Sequence, residues 1–404
     1  MKTVFKILSK RPKFLALILA LFLSSVGSGV TQAVVLGELG RLGADGFTLS
    51  LVFVLGLVPG FLSSRVAVGW VNRFGLERVL PIVQIAGIPA VIFGGVGLAL
   101  NLPWLLLGVE AMSSAVWGMT VPFVNSMVTA ELDESELAPF SRFENSIFSS
   151  QAILAFGIGT LLWPYVGAYP LFGLDLISYF IAAFCFRAFL VNRKRSAEVS
   201  KVGSSAVPRP AWKSWTPIQK RQLAIVPVLA LAASPAMALL PLLGQKWGAL
   251  AVMGGITLSP PLVLMFAKTV GQVVGPWFAT DGIMDRISQR RMWLPVLLIG
   301  FMGFYLLASQ VQRLGIAFCL IGIAHLLSNI LFTAGYLGVR RGFQGEALVE
   351  ASVLQYQVQL VVMSLSALAA GSFARQPSEI VPVLFVSAFM AIGAVTVLEW
   401  RVKV

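Results

Sequence analysis

Charged residues are unusually scarce in this sequence. They make up 12% of its 404 residues, whereas soluble domains carry about 25%. Hydrophobic residues account for 57% of the chain, and the mean hydropathy is +0.87. Because so little charge cannot cover the water-exposed surface of a chain this long, a soluble globular protein is excluded. We expect a chain that lies largely within a lipid bilayer.

Cysteine and histidine are nearly absent as well. Cys185 and Cys319 lie in apolar runs without framework spacing, so neither a disulfide nor a cysteine metal site is predicted. A single histidine, His325, excludes metal sites and catalytic clusters that need several histidines. The sequence also lacks a G-x-x-x-x-G-K-[ST] loop, which argues against ATP hydrolysis. We therefore expect no cofactor, no bound metal and no enzymatic activity.

Long apolar runs fill most of the chain. A bilayer core of about 30 Å needs about 20 apolar residues per helix, which leaves room for about a dozen spans. We predict twelve transmembrane helices, the first of them retained because no small-x-small cleavage site follows it. The predicted spans are 14–36, 47–68, 79–100, 104–128, 143–166, 170–190, 223–243, 260–280, 293–309, 314–339, 351–373 and 380–398.

Basic residues are distributed unevenly between the two sides of this arrangement. If the N-terminus is cytoplasmic, the outer loops contain only Arg41, Lys246, Arg313 and Arg375 among 30 basic residues. The positive-inside rule then explains the net charge of +13 without nucleic acid as a partner. We predict a multi-pass protein of the inner or plasma membrane, with both termini in the cytoplasm.

A polar stretch separates the sixth and seventh predicted spans. Residues 191–221 combine basic side chains with Gly, Ser and Pro, which is typical of a flexible linker. The charge favours anchoring near anionic lipid headgroups, with a specific partner as the alternative. The linker divides the chain into an N-terminal bundle, 1–190, and a C-terminal bundle, 222–404, of six helices each.

The loops after the second and the eighth predicted spans repeat one pattern. The first loop contains Gly69, Asn72, Arg73, Gly75 and Arg78. The second loop contains Gly282, Asp285, Arg286, Arg290 and Arg291. The matched spacing of Gly, Asn or Asp, and Arg in equivalent places favours internal duplication over two independently basic loops. Parallel repeats of this kind frame a substrate path in transporters.

These two loops resemble the G-x-x-x-D-R-x-G-R-R motif of the major facilitator superfamily. The resemblance implies an all-α membrane protein in which twelve transmembrane helices form two six-helix bundles around a central cavity. The segment around Asp175 and Ser178 also resembles the branch that contains macrolide and siderophore exporters. The chain departs from the family motif at Asn72, where Asp is usual, and at Ser288, where Gly is usual.

The resemblance implies secondary active transport by alternating access. The preferred version is proton-coupled efflux of an amphiphilic organic compound that is drug-, macrolide- or siderophore-like. Uptake, lipid transport, and a non-transporting receptor or scaffold remain the alternatives. The expected partners are a small-molecule substrate, protons and the lipid bilayer, and the chain is expected to act as a monomer.

The repeated loops are interpreted as a gate. Asp285 can accept hydrogen bonds from helix N-terminal amides or arginines and thereby hold helix ends together on the cytoplasmic face. The arginines of both loops can pair with acids or helix C-termini in one state and release them in another. Asn72 keeps the hydrogen bonding but contributes no charge, so we expect a weaker lock in the first half.

Polar residues inside the spans are the candidates for substrate binding and proton coupling, because charge at membrane depth is costly. Lys268, near the middle of the eighth span, is either a cavity cation that binds an anionic substrate or pairs with an acid, or part of a structural ion pair. Glu110 and Asp175 can carry protons. The remaining candidates are Gln32, a cavity donor, and His325 with Asn329 one turn later.

Overall fold

The structure of the protein is a computed structural model that describes residues 12–131, 153–190, 215–248, 250–253, 255–280, 282–283, 286–287, 290, 292–343 and 345–401. Asp285 and Arg291 of the second loop lie outside the described residues, as do the start of the chain and residues 191–214 of the linker. The side chain of Asn72 also lies outside the description.

The chain divides into two compact units. Unit 1 comprises Met1–Leu42 and Leu55–Ser205, and unit 2 comprises Gly43–Val54 and Ala206–Val404. The segment Gly43–Val54 therefore groups with the C-terminal half of the chain. Within unit 2, the Gly46 N–H donates to the Arg375 carbonyl at 3.3 Å.

Unit 1 contains the first six spans, apart from the first helix of span 2. Span 1 is Pro12–Arg41, span 2 is Gly46–Leu55 and Val58–Phe74, span 3 is Leu76–Ile85 and Ile88–Ala99, span 4 is Pro103–Glu131, the described part of span 5 is Ile153–Val166, and span 6 is Ala168–Leu190. Each helix overlaps the predicted span of the same number.

Unit 2 contains the last six spans. Span 7 is Pro217–Ala238 and Leu240–Gly244, span 8 is Pro260–Phe278, span 9 is Trp293–Gln310, span 10 is Leu314–Gly342, span 11 is Gly345–Phe373, and span 12 is Ile380–Arg401. By length and composition, nine helical segments in the described part of the chain can cross a membrane, with the two helices of span 2, and likewise those of span 3, taken together. Large apolar side chains such as Phe184 and Phe389 are exposed, as expected for surfaces that face lipid.

Spans 2, 3 and 7 each consist of two helices rather than one. In each case a proline lies in the first turn of the second helix: Pro59, Pro89 and Pro241. Proline suits a first turn, where its missing N–H costs no hydrogen bond, and disfavours a continuous helix through it. These prolines were the sequence signal for the interruptions, which the span ranges did not include.

The two units repeat the same pairs of packed helices. In unit 1, span 1 packs against span 6, the second helix of span 2 against span 4, and span 3 against spans 4 and 6. In unit 2, span 7 packs against span 12, span 8 against span 10, and span 9 against spans 10 and 12. Counted from the first span of each unit, these pairs are the same, which supports an internal duplication.

A short β-hairpin connects spans 7 and 8. Strand β1 (Ala251–Met253) pairs antiparallel with strand β2 (Ile256–Leu258). Gly255 in the connection has φ 81°, which glycine adopts without strain. Two consecutive glycines between short apolar runs are the sequence signal of a two-residue hairpin loop, and the hairpin was not among the predicted elements. The hairpin lies between spans and leaves the helical architecture unchanged.

Span 7 begins inside the stretch that the sequence assigns to the linker. Thr216 and Gln219 form a capping box, in which Thr216 Oγ1 accepts from the Gln219 N–H at 3.3 Å and Gln219 Oε1 accepts from the Thr216 N–H at 2.9 Å. Trp215 packs edge-on against Phe343, with ring centroids 5.0 Å apart. The linker composition concealed this helix start, because its basic residues continue into the first turns of span 7.

Candidate functional site

A cavity of about 390 Å³ lies within unit 1. Its described lining residues come from spans 1, 2, 4 and 5: Ser25, Ser28, Gly29, Gln32, Gly56, Glu110, Ser113, Ser114, Trp117, Ala155 and Phe156. The volume falls in the range of about 300–1,000 Å³ that is typical of small-molecule sites. Small hydroxyl groups, two aromatic rings and one carboxylate thus share a single concave surface.

Helical spacing explains why these side chains face the same space. On span 1 the lining positions are Ser25, Ser28, Gly29 and Gln32. On span 4 they are Glu110, Ser113, Ser114 and Trp117. Positions three, four and seven residues apart lie on one face of an α-helix, so each span presents one polar stripe to the cavity.

Glu110 and Gln32 meet in this cavity. Gln32 Nε2 donates a hydrogen bond to Glu110 Oε2 at 3.2 Å. Glu110 is only 4% exposed, so its carboxylate is buried within unit 1 beside a neutral amide. An ionised carboxylate in such surroundings is costly unless a cation or a proton compensates it. The Glu110 carboxylate can therefore be compensated either by a proton or by a cation that enters the cavity.

The serines of span 1 provide further polar groups. Ser28 Oγ lies 3.3 Å from Tyr179 Oη on span 6. Ser25 Oγ is buried and has no hydrogen-bond partner among the residues that the structure describes. A buried hydroxyl without a partner loses free energy, which a ligand with a donor or an acceptor would restore.

Asp175 lies in the same unit but not among the described residues that line the cavity. Thr31 Oγ1 donates to Asp175 Oδ2 at 2.7 Å, and Ser178 Oγ donates to Asp175 Oδ1 at 3.0 Å. Asp175 is fully buried, and Gly27 leaves the space that its carboxylate and Ser178 occupy. These contacts join span 1 to span 6, so the structure gives Asp175 a helix-bridging position.

Small residues allow the spans around the cavity to approach closely. A Cβ added at Gly29 would lie 2.5 Å from Ala155 Cβ, and one added at Gly118 would collide with the Gly60 carbonyl. Contacts under 3.0 Å do not occur between real Cβ atoms and their neighbours, so these positions require glycine. Close backbone approach of this kind is the usual basis of helix packing in membranes.

A further buried carboxylate of unit 1, Glu38 on span 1, also lies outside the cavity. Glu38 is 6% exposed and accepts hydrogen bonds from Trp163 Nε1 at 3.1 Å and from Arg41 Nε at 2.7 Å. The predicted first span ended at residue 36, two residues before Glu38. The structure instead continues the helix to Arg41, and the charge of Glu38 is compensated there.

The other three coupling candidates lie in unit 2. Tyr305 Oη and His325 Nε2 are 2.5 Å apart, and the His325 ring packs edge-on against Phe301. Lys268 lies close enough to His325 for its charge to act on the imidazole. Gly275 gives Asn329 the space to pack against span 8. The six candidates are therefore divided between the units, with Gln32, Glu110 and Asp175 in unit 1.

The first of the repeated loops is shorter in the structure than the gap between the predicted spans 47–68 and 79–100. Gly75, with φ 85°, is the one residue between the second helix of span 2 and span 3. A left-handed conformation favours glycine, which accounts for Gly75 in the motif. Gly69, Arg73 and Arg78 are exposed, and Arg73 lies 5.1 Å from the Phe74 ring centroid.

The second loop is described only in part. Gly282, Arg286 and Arg290 are exposed there, and Arg286 lies 6.0 Å from the Trp293 ring centroid. No salt bridge joins Arg286 or Arg290 to a carboxylate among the described residues. The partners that the gate hypothesis assigns to these arginines therefore remain predictions.

An ion pair that the sequence did not predict lies next to the second repeated loop in unit 2. Arg221 Nε donates to Glu399 Oε1 at 2.8 Å, and Arg221 Nη1 donates to the Ile287 carbonyl at 3.1 Å. Arg221 is 4% exposed, although the sequence predicted that it belongs to a flexible linker. The pair connects the start of span 7, the end of span 12 and the second repeated loop, which are distant in sequence.

Metal ligands are not grouped in the described part of the chain, where no cluster of three or more His, Cys, Asp or Glu side chains occurs. A cation bound in the unit 1 cavity would meet one carboxylate, one amide and serine hydroxyls. Metal sites in proteins usually combine more charged or nitrogen ligands than this.

Comparison with solved structures gives matches over nearly the whole chain. A bacterial homologue of the iron transporter ferroportin, in the inward-facing state, matches with a TM-score of 0.72 and 15% identity over 97% of this chain and 99% of that one. The nucleoside transporter NupG matches with a TM-score of 0.66 and 12% identity over 98% and 100%. A bacterial homologue of the lysosomal transporter Spinster matches with 0.63 and 15% over 96% and 94%.

No protein-family model and no curated protein sequence matches this chain. At such low identity the structural matches establish the fold alone. They confirm the predicted fold class and give no support to the narrower resemblance to macrolide and siderophore exporters. The chain is a multi-pass membrane protein with the twelve-helix major facilitator fold.

Proposed function

We propose that the protein is a secondary active transporter that moves a small organic compound by alternating access. The observation that carries this proposal is the cavity of unit 1, in which a buried carboxylate, an amide and serine hydroxyls meet two aromatic rings. Convergent polar groups in an otherwise apolar cavity are the usual form of a small-molecule site. The structurally similar proteins are transporters, which is consistent with this use of the fold.

Proton-coupled efflux is the preferred version of the proposal. Glu110 lines the cavity and is hydrogen-bonded to the neutral Gln32, so substrate and proton can compete for one buried charge. Competition for a shared site lets the protein carry either species across, but not both at once. The membrane is proposed to be the inner or plasma membrane, with both termini cytoplasmic and the duplicated loops as the cytoplasmic gate.

Transport assays in proteoliposomes test this proposal. Purified full-length protein is reconstituted, and movement of ethidium, of erythromycin and of a fluorescent phospholipid is followed with and without an imposed pH gradient. We expect protein-dependent movement of an organic amphiphile that stops when a protonophore collapses the gradient. Movement that ignores the gradient would contradict proton coupling, and phospholipid movement alone would identify a lipid transporter. No movement beyond protein-free liposomes would contradict the transport proposal.

A further inference from the structure

The cavity of unit 1 is lined by charge of one sign only, which is negative, among the described residues. Glu110 is the only ionisable side chain among its described lining residues, and no lysine or arginine is present among them. The one side-chain hydrogen bond described for Glu110 comes from the neutral amide of Gln32. An entering anion would meet an uncompensated carboxylate in a medium of low polarity, where repulsion between like charges is strong. An entering cation would instead supply the missing counter-charge.

The remaining walls suit an apolar body attached to that charge. Trp117 is 38% exposed and lies two turns along span 4 from Glu110, and Phe156 lines the cavity from span 5. Aromatic faces attract organic cations through their quadrupole and also bury apolar groups. Ser25 Oγ on span 1, buried and without a hydrogen-bond partner among the described residues, offers one hydrogen bond to a ligand. Carboxylate, aromatic rings and hydroxyl thus act on different parts of one ligand.

The size of the cavity separates an organic cation from a metal ion. About 390 Å³ is enough for a compound of drug-like dimensions. A bare or partly hydrated metal ion would leave most of this space empty, and no three metal-ligating side chains cluster in the described part of the chain. Metal ions of the size found in proteins need several close oxygen, nitrogen or sulfur ligands.

We infer that the cavity of unit 1 binds organic cations, such as quaternary or protonated amines with an aromatic or aliphatic body, and that Glu110 is their counter-ion. This inference rests on the proposed function, because it takes the cavity to be the place where a substrate binds. It concerns binding alone and can therefore be tested without measuring transport. Trp117 and Phe156 hold the apolar part of the ligand, and Gln32 orients the carboxylate.

Equilibrium dialysis with purified full-length protein in detergent measures this selectivity. Three probes of similar size are compared against empty micelles: the cation benzyltrimethylammonium, the neutral N,N-dimethylbenzamide and the anion 3-phenylpropionate. We expect the cation to bind at least about tenfold more tightly than the neutral probe, since truncating or omitting one partner of a buried charge pair commonly costs this much or more. The anion should bind most weakly.

Substitutions locate the binding in the cavity. Glu110→Gln should weaken the cation about tenfold or more and leave the neutral probe unchanged, whereas Glu110→Asp should retain part of the preference. Glu38→Gln is the matched control, because Glu38 is also a buried carboxylate of unit 1 but pairs with Arg41 outside the cavity. Trp117→Leu, a milder change on the same wall, should also weaken the cation selectively.

Three results would overturn the inference. They are equal binding of the three probes to the wild-type protein, absence of any binding above empty micelles, and cation binding that survives Glu110→Gln unchanged in a folded protein. Wild-type selectivity alone decides the matter if Glu110→Gln does not fold. Selective cation binding without flux in proteoliposomes would keep this inference and remove the transport proposal. Flux of a compound whose binding does not depend on its charge would keep the transport proposal and remove this inference.

Discussion

Gln32 and Glu110 are joined by a hydrogen bond in which Gln32 Nε2 donates to Glu110 Oε2 at 3.2 Å. The two residues belong to spans 1 and 4, and both line the same cavity. An amide donor stabilises a carboxylate without neutralising it. The carboxylate is therefore oriented by the protein and still open to compensation by a ligand or a proton.

Replacing this donor should weaken cation binding without abolishing it. Gln32→Ala leaves the charge of Glu110 in place but removes its orienting hydrogen bond, so we expect a loss of about three- to tenfold in affinity for benzyltrimethylammonium. Gln84→Ala is the matched control, because Gln84 is a buried glutamine of unit 1 that bonds Ser24 and Thr120 away from the cavity. Equal losses in both variants would show a general effect on folding instead.

Binding of a permanent cation should depend on pH through Glu110. Benzyltrimethylammonium keeps its charge at every pH, so a proton on Glu110 removes the attraction; affinity should fall as the pH is lowered and recover as it is raised. Among the described residues, Asp175 of span 6 is the titratable group whose charge acts on Glu110. Dialysis between pH 5 and pH 9, about two units on either side of neutrality, should show a slope in the wild type and in Asp175→Asn, and none in Glu110→Gln. If the affinity of Glu110→Gln still changed with pH, a group other than Glu110 would be the one that titrates.

Close packing of spans 2 and 4 should make Gly118 intolerant of a side chain. A methyl group at this position would collide with the Gly60 carbonyl, and overpacking of this kind costs about 1–3 kcal/mol. Gly118→Ala should therefore lower the unfolding temperature in detergent. Gly108→Ala on the same span meets nothing within 4 Å and should be neutral or stabilising by up to about 1 kcal/mol, because alanine favours a helix. Similar temperatures for both variants would contradict the described helix contact.

Removing either Arg221 or Glu399 alone should destabilise the protein more than removing both together. Arg221→Met leaves Glu399 buried without its partner, and breaking a buried ion pair costs about 3–5 kcal/mol. Adding Glu399→Leu removes the orphaned charge and should restore most of the lost stability. Thermal unfolding of the two single variants and the double variant measures this. Additive losses in the double variant would mean that the two side chains stabilise the protein independently.

The duplicated loops should matter for gating rather than for folding. Asp285→Asn is expected to slow transport and to change which side of the membrane reaches the cavity, because it removes the one acid of the second loop, 282–291. Asn72→Asp, which adds an acid to the other copy, should have the opposite effect on accessibility. Labelling of single cysteines at the cavity by impermeant thiol reagents measures both. Asp281→Asn, outside the motif, is the control. Unchanged transport and accessibility in Asp285→Asn would remove the gate hypothesis.

The sequence predicted the span order well because apolar length is a local property. Each of the twelve predicted ranges overlaps a helix of the same order, since a bilayer requires a long apolar run whatever packs against it. Local signals that would have refined the prediction were present in the prolines of spans 2, 3 and 7 and in the paired glycines before β2. Lengths were underestimated where a charge such as Glu38 continued a helix.

The site was only partly predictable, because contacts between residues that are distant in sequence depend on how the helices pack and leave no local sequence pattern. Glu110 and Gln32 were each identified from their polarity at membrane depth, but their hydrogen bond depends on how spans 1 and 4 pack. The stripe of serines at helical spacing contained the signal that both spans face one cavity. The pairing of Arg221 with Glu399 crosses nearly half the chain and had no such signal.

Uptake of radiolabelled benzyltrimethylammonium into proteoliposomes with an acidic interior tests the central claim most directly. If substrate cation and proton exchange at Glu110, uptake should exceed that of protein-free liposomes and stop with a protonophore. It should be lost in Glu110→Gln and retained in Glu38→Gln. Uptake that is absent in the wild type, or that is equal in the wild type and Glu110→Gln, would contradict the claim.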